Sequence, residues 1–308
     1  MRLIDKSIVY KNVNHHFGIS SETQDQIRIG STQYILDVGK FLDLNSQVIQ
    51  TAIIYNQLFF LKKSYLNYEK ELYQNAALYL ASKNLNHKRK ISDFCLYYHK
   101  LKYLGSLYKP PQENQIKQLS EDICIAECKL LQHIDYLMEV DLPGMFIEKF
   151  TRLLYEKQDY NTDGNQHSSS IVVSWQNINR IAIAAANDTF YTPVNVLFSP
   201  QSIAVACVIF AAMKFGMPIP FNNKEFNFET CFERYVIKRG LAGSQSQVLT
   251  QSQGQNDEKR QAKIEEYRRQ FNELSWEKKI DLSCDLEEVV ESIKYIEQFY
   301  SNLKNNME

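Results

Sequence analysis

The chain lacks most of the patterns that mark a catalyst. It has no CxxC pair, no phosphate-cradling glycine loop, no GxSxG and no HExxH, so the common nucleotide, nucleophile and metal motifs are missing. Net charge is -1 over 308 residues. There is no global electrostatic pull toward nucleic acid or an anionic membrane. The longest apolar run, Ile203 to Met213, ends at Lys214 and is too short to cross a bilayer. Met1 to Lys6 lacks the apolar stretch of a signal peptide. These features predict a soluble chain with no membrane partner and no direct nucleic-acid partner. His15 and His16 are adjacent rather than four apart, which reads as a solvated pair and not a metal site. Asp135 and Glu139 are four apart, but no base or nucleophile accompanies them. The expectation is a non-catalytic protein with no cofactor and no metal.

What the chain does have is a core. Hydrophobic residues make up 44%, with 19 tyrosines and 17 phenylalanines, enough for an aromatic-rich interior. The six cysteines are expected to be reduced and buried, although Cys124 and Cys128 share one helical face and are placed to meet one partner.

All seven prolines fall between, or at the starts of, segments of 3.6-residue periodicity, and no stretch shows sustained period-2 alternation. The fold class is therefore all-α. Ser21 with Gln24 reads as a capping box for a helix to about Leu42. Asn45 or Ser46 caps a second helix to about Leu61. A third runs from about Lys70 to Lys83, and Ser92 caps a short fourth. A fifth spans about 117–138, with apolar positions Ile123, Ala126, Leu130, Leu131, Ile134, Leu137 and Met138. A second series follows Pro143, with helices at about 144–157 and 170–191. Ser199-Pro200 opens another to Phe215, and Asp285 with Glu288 caps the last. The stretch at 221–273 interrupts this series. It is rich in Ser, Gln and Gly at 240–257 and is expected to be mobile, with a solvated helix at 258–273.

The two series look like repeats. Ala76–Lys83 and Cys207–Lys214 share a small-residue pattern, in which Tyr79 matches Phe210 and Lys83 matches Lys214. Small residues let neighbours approach closely, so each such helix is expected at the centre of its bundle. Lys83 and Glu127 stand out as charges on apolar helices. From spacing alone they read as a helix-end cation favoured by the macrodipole and a solvated carboxylate. Lys88-Arg89-Lys90 reads either as a solvated turn or as a patch for acidic or phosphorylated segments.

Longer patterns carry a resemblance. Leu80-Ala81-Ser82-Lys83, with Ala126-Glu127 and Leu130-Leu131 downstream, resembles the first cyclin box. Asn187 to Thr192 and Phe198 to Ala206 resemble the second box of transcription-type cyclins such as cyclins K, L and T. Trp276 to Lys279 and the helix after Asp285 resemble cyclin K. The similarity covers about 20–220 and 274–303. It implies two tandem five-helix cyclin boxes: an N-terminal segment at 1–19, one box at 20–140, and a second at 141–303 that carries the insertion.

By the same resemblance, the partner is a cyclin-dependent Ser/Thr protein kinase in a heterodimer, and the chain is its regulatory subunit. The implied setting is nuclear RNA polymerase II transcription, with the cytoplasm as a second location. Carried over by position, Lys83 and Glu127 bond the kinase's mobile regulatory helix, and Leu80, Leu131, Tyr136 and Met138 supply the apolar contacts. The chain departs from the family at Asn84, Leu85 and Asn86, where an apolar residue and an acidic pair are usual, and at Ile183 in place of a tryptophan. A cyclin-fold adaptor or structural subunit without kinase activation is the alternative. Transcription factor IIB shares the fold, but its zinc-ribbon cysteine set is absent here. The insertion is expected to be dispensable for kinase binding.

Overall fold

The computed structural model describes residues 9, 12–102, 109–155, 175–217, 265–270, 273, 278, 280–281 and 284–305, and among them there is no strand. The helices are α1 (Val13–His16), α2 (Ser21–Phe41), α3 (Ser46–Lys62), α4 (Lys70–Asn84), α5 (Ile91–Lys102), α6 (Glu113–His133), α7 (Gly144–Tyr155), α8 (Trp175–Asp188), α9 (Val194–Leu197), α10 (Pro200–Lys214) and α11 (Leu286–Asn305). A 3-10 turn at Thr189–Tyr191 follows α8. Contacts divide the chain into two units. The first is Met1–Leu142, Asn187–Pro200 and Tyr295–Glu308; the second is Pro143–Ala186 and Gln201–Lys294.

In the first unit α4 occupies the middle and packs on α2, α3, α5 and α6. The sequence explains this position. Ala76, Ala77, Ala81 and Ser82 are fully buried, and small side chains admit neighbours on several sides. Around α4 lie Tyr55, Phe59, Phe60, Phe94, Ile35, Ile123 and Leu130, all buried. Tyr73 stacks on Phe59 with ring centroids 4.4 Å apart. Gly39 lets α2 approach α3, since a Cβ there would lie 2.5 Å from Ile49 Cγ1.

Residues 187–192 belong to this unit because its polar groups hold them. Gln57 Nε2 and Thr32 Oγ1 both donate to the carbonyl of Phe190, at 2.8 and 3.2 Å. Gln50 Nε2 donates to Asn187 Oδ1 at 2.9 Å. The Tyr300 hydroxyl donates to Asp188 Oδ2 at 2.5 Å. The N-terminal stretch is pinned by Asn14, whose Nδ2 donates to Phe60 O at 2.8 Å while its Oδ1 accepts Tyr65 N–H at 2.8 Å.

In the second unit α10 is buried from Ser202 to Ala212. The Ser202 hydroxyl accepts Asp285 N–H at 3.0 Å. Asp285 Oδ1 in turn caps α11, accepting N–H of Glu287 at 3.0 Å and of Glu288 at 3.3 Å. Lys149 pairs with Asp281 at 2.9 Å, and the Arg152 guanidinium lies 4.6 Å above the Trp175 ring.

Several local expectations need correction. The cap of α2 is Ser20, whose Oγ accepts Thr23 N–H at 3.2 Å. Gln24 instead donates to Ile19 O at 2.9 Å and accepts Asn12 Nδ2 at 2.7 Å. Ser92 lies inside α5, which begins at Ile91. Helix α6 starts and ends earlier than 117–138, because its capping box is built on Gln112 and Gln115 and the chain turns left-handed at Asp135. Arg89 is not a free basic group. It donates to Leu42 O at 2.8 Å and Asp43 O at 2.9 Å, tying off the end of α2. Of the 221–273 interruption, residues 265–270 are helical and largely exposed, as expected for a solvated helix; the rest, apart from 273, lies outside the described residues.

Candidate functional site

Helices α4 and α6 bring Lys83 and Glu127 together. Lys83 Nζ lies 2.5 Å from Glu127 Oε1. The Lys83 side chain is 40% exposed and that of Glu127 only 8%, so the carboxylate is not solvated as spacing alone suggested. The ammonium also sits 4.4 Å from the centre of the Tyr79 ring, one helical turn earlier. Lys214 lies over Phe210 in the same way, at 4.8 Å, so the two matched segments share a cation–ring pair.

The other expected site residues differ in exposure. Leu80 is buried on α4. Leu131 and Met138 are half-buried and pack on the core, and Tyr136 is 65% exposed. Tyr136 is presented by an unusual backbone. Asp135 and Tyr136 both have positive φ, 54° and 56°, which closes α6 and turns the ring outward. The turn is held by Tyr136 N–H donating to Leu131 O at 2.9 Å and by an ion pair of Lys62 with Asp135 at 2.7 Å.

Three further residues complete the surface. Asn84 Nδ2 donates to Met138 O at 2.5 Å and to the Tyr55 hydroxyl at 3.1 Å. Tyr55 O–H also donates to Met138 O, at 2.9 Å. Burial pushes the Tyr55 phenol up to about 12, with the Asn84 hydrogen bond opposing. Asn84, a departure from the family pattern, thus fixes the segment that carries Tyr136 and Met138. Ile125 is 54% exposed on the outer face of α6, and Leu85 is exposed at the end of α4. The sequence held a signal for Ile125: it is apolar but out of phase with the buried positions Ile123, Ala126 and Leu130. Nothing in the sequence marked the Asn84–Met138 bond, which joins groups 54 residues apart. Cys124 and Cys128 are exposed, not buried as expected.

The arrangement is one of recognition. Lys83 and Glu127 pair across α4 and α6, and the exposed apolar residues Ile125, Leu85 and Tyr136 lie on these two helices or just past their ends, a mixture suited to a partner that offers both polar groups and an apolar face. Among the described residues no group of three His, Cys, Asp or Glu side chains is placed for a metal ion. No described helix is long and apolar enough to cross a membrane.

Comparison with known proteins places this site in context. Residues 2–139 match the family of the cyclin N-terminal domain. Cyclin-L1 of Gallus gallus is 28% identical over 206 residues, covering 66% of this chain and 36% of that protein. Cyclin-L2 of Homo sapiens gives the same identity and coverage. The match thus spans about a third of the length of these relatives. A chain in the crystal structure of the yeast RNA Pol II CTD kinase CTDK-1 complex shares the fold, with TM-score 0.57, 13% identity, and coverage of 90% of this chain and 84% of that one.

Proposed function

We propose that this chain, which carries a cyclin N-terminal domain, is the regulatory subunit that binds and activates a cyclin-dependent Ser/Thr protein kinase. We place its action in the nucleus, in RNA polymerase II transcription. The observation that supports this best is the Lys83–Glu127 pair, which bridges two helices that also carry or lead into the exposed apolar residues Ile125, Leu85 and Tyr136. Each group has the charge and place that the family uses to hold the kinase's regulatory helix. The two already satisfy one another, so partner binding exchanges an internal bond for intermolecular ones and fixes register. The apolar residues Leu131, Tyr136 and Met138, with Leu80 behind them, supply the affinity. Holding that helix inward lets its glutamate pair with the ATP-positioning lysine of the kinase.

The test is co-purification and kinase assay with a Lys83→Glu, Glu127→Lys double variant. The swap keeps an attractive internal pair and reverses the polarity offered to a partner. We expect stable helical protein, at least tenfold weaker kinase binding and lost activation. Equal binding and activation sinks the assigned interface.

A second reading, a cyclin-fold adaptor without kinase activation, is favoured by Leu85 and Asn86, which stand where the family has an acidic pair. A stoichiometric kinase in an affinity purification supports the first reading. Its consistent absence supports the second.

A further inference from the structure

Helix α6 carries two thiols outside the ion pair. Cys124 and Cys128 are exposed and unbridged, whereas Cys95, Cys207 and Cys284 are buried. A spacing of four places them on one face with Cβ atoms about 5–6 Å apart. That is too wide for a disulfide, which needs roughly 3.5–4.5 Å. It suits one soft atom held between both sulfurs, because two bonds of roughly 2.3 Å, the length of a zinc–thiolate bond, span what a single S–S bond does not.

The Cys124 thiol is pushed above its ordinary value by burial first and then by the Glu127 carboxylate, with Lys83 opposing and Cys128 adding. At neutral pH it is a thiol rather than a thiolate, hence a slow nucleophile. Chelation by ligand exchange needs no standing thiolate.

We propose that Cys124 and Cys128 form a dithiol site for a trivalent arsenical. In the step, R–As(OH)2 exchanges its two As–O bonds for two As–S bonds. The thiol protons leave with the hydroxyls as two waters, arsenic stays trivalent, and no electrons move. Two protein ligands are enough for this centre. Zinc wants four, and among the described residues no group of three His, Cys, Asp or Glu side chains could hold a metal ion. The loaded site adjoins Lys83 and Ile125. Bulk held there would obstruct a kinase docked on this face, a consequence that rests on the function proposed above; the chelation does not.

The probe is phenylarsine oxide, added to the native full chain and followed by excess monothiol to strip singly held arsenic. We expect one arsenical per chain by intact mass and the loss of two titratable thiols. Cys124→Ser and Cys128→Ser should each abolish the retained adduct. So should Cys128→Ser with Lys129→Cys, which restores two thiols at a spacing that points them apart. All these positions are exposed, and circular dichroism checks the fold. No adduct in the wild type, or an undiminished adduct in either serine variant, overturns the proposal. A loaded chain that still binds the kinase overturns the docking face and leaves the chelation standing.

Discussion

Lys83 and Glu127 are each other's partner in the isolated chain, Nζ to Oε1 at 2.5 Å, but they do not share the burial equally. The lysine keeps water and a tyrosine ring within reach. The carboxylate lies under the surface and has far less water around it.

The two truncations should therefore differ in cost. Lys83→Ala strands a buried carboxylate, whereas Glu127→Ala frees an ammonium that water accepts. Urea denaturation should show Lys83→Ala as the more destabilising by roughly 1 kcal/mol. The coupling from a double-mutant cycle should be about 0.5–1 kcal/mol. A reversed order contradicts the burial asymmetry.

Asn84→Leu restores the residue type that the family usually has, yet it should destabilise the chain. It removes both hydrogen bonds to Met138 O and Tyr55, at about 1–2 kcal/mol. Amide exchange at residues 135–138 should accelerate while that of α4's buried turns stays slow. Unchanged exchange there would show that the 135–138 segment is held by its own turn alone.

Gly39→Ala tests the approach of α2 to α3. The added methyl meets Ile49 Cγ1 and Cδ1 at 2.5 and 2.7 Å, and overpacking of this kind costs roughly 1–3 kcal/mol. Ile49→Val in the same chain should recover part of the loss, measured as a partial return of the urea midpoint.

Asp188 gives a pH signature. Burial raises its carboxyl above the ordinary carboxylate range, opposed by the Tyr300 hydrogen bond. The folded state therefore holds this proton more tightly than the unfolded state, and this group's contribution falls as pH rises from the ordinary carboxylate value through the raised one. Asp188→Asn removes that dependence and leaves an oxygen to accept from Tyr300. The difference in Tm between variant and wild type should move in the variant's favour from pH 4 to 7. A difference that is flat with pH refutes the assignment.

The architecture was legible where periodicity and punctuation agree. Asn45 caps α3 by accepting Val48 N–H at 2.9 Å, and Pro200 opens α10. The small-residue helix at 76–83 lies at the centre of the first unit because its alanines permit little else. The site was half legible. Charge and apolar setting singled out Lys83 and Glu127, but no one-dimensional pattern tells that they touch. The errors came from polar side chains with more than one use. Ser20 and Ser21 offer the same cap chemistry, and Gln24 chose a carbonyl and an asparagine over its own helix end. Arg89 read as surface charge because its partners, the carbonyls of Leu42 and Asp43, are invisible to side-chain patterns.

The left-handed turn after α6 sets two kinds of fitness against one another. Asp tolerates positive φ through its short polar side chain, but a tyrosine at φ 56° is held in a conformation that glycine adopts freely. Tyr136→Gly should thus raise the unfolding midpoint, and the chain forgoes that gain. Its exposed ring brings the isolated molecule little burial in return, so its keep must come from elsewhere. A selection for thermostability alone would erase Tyr136 early, and one that also demanded partner binding would keep it.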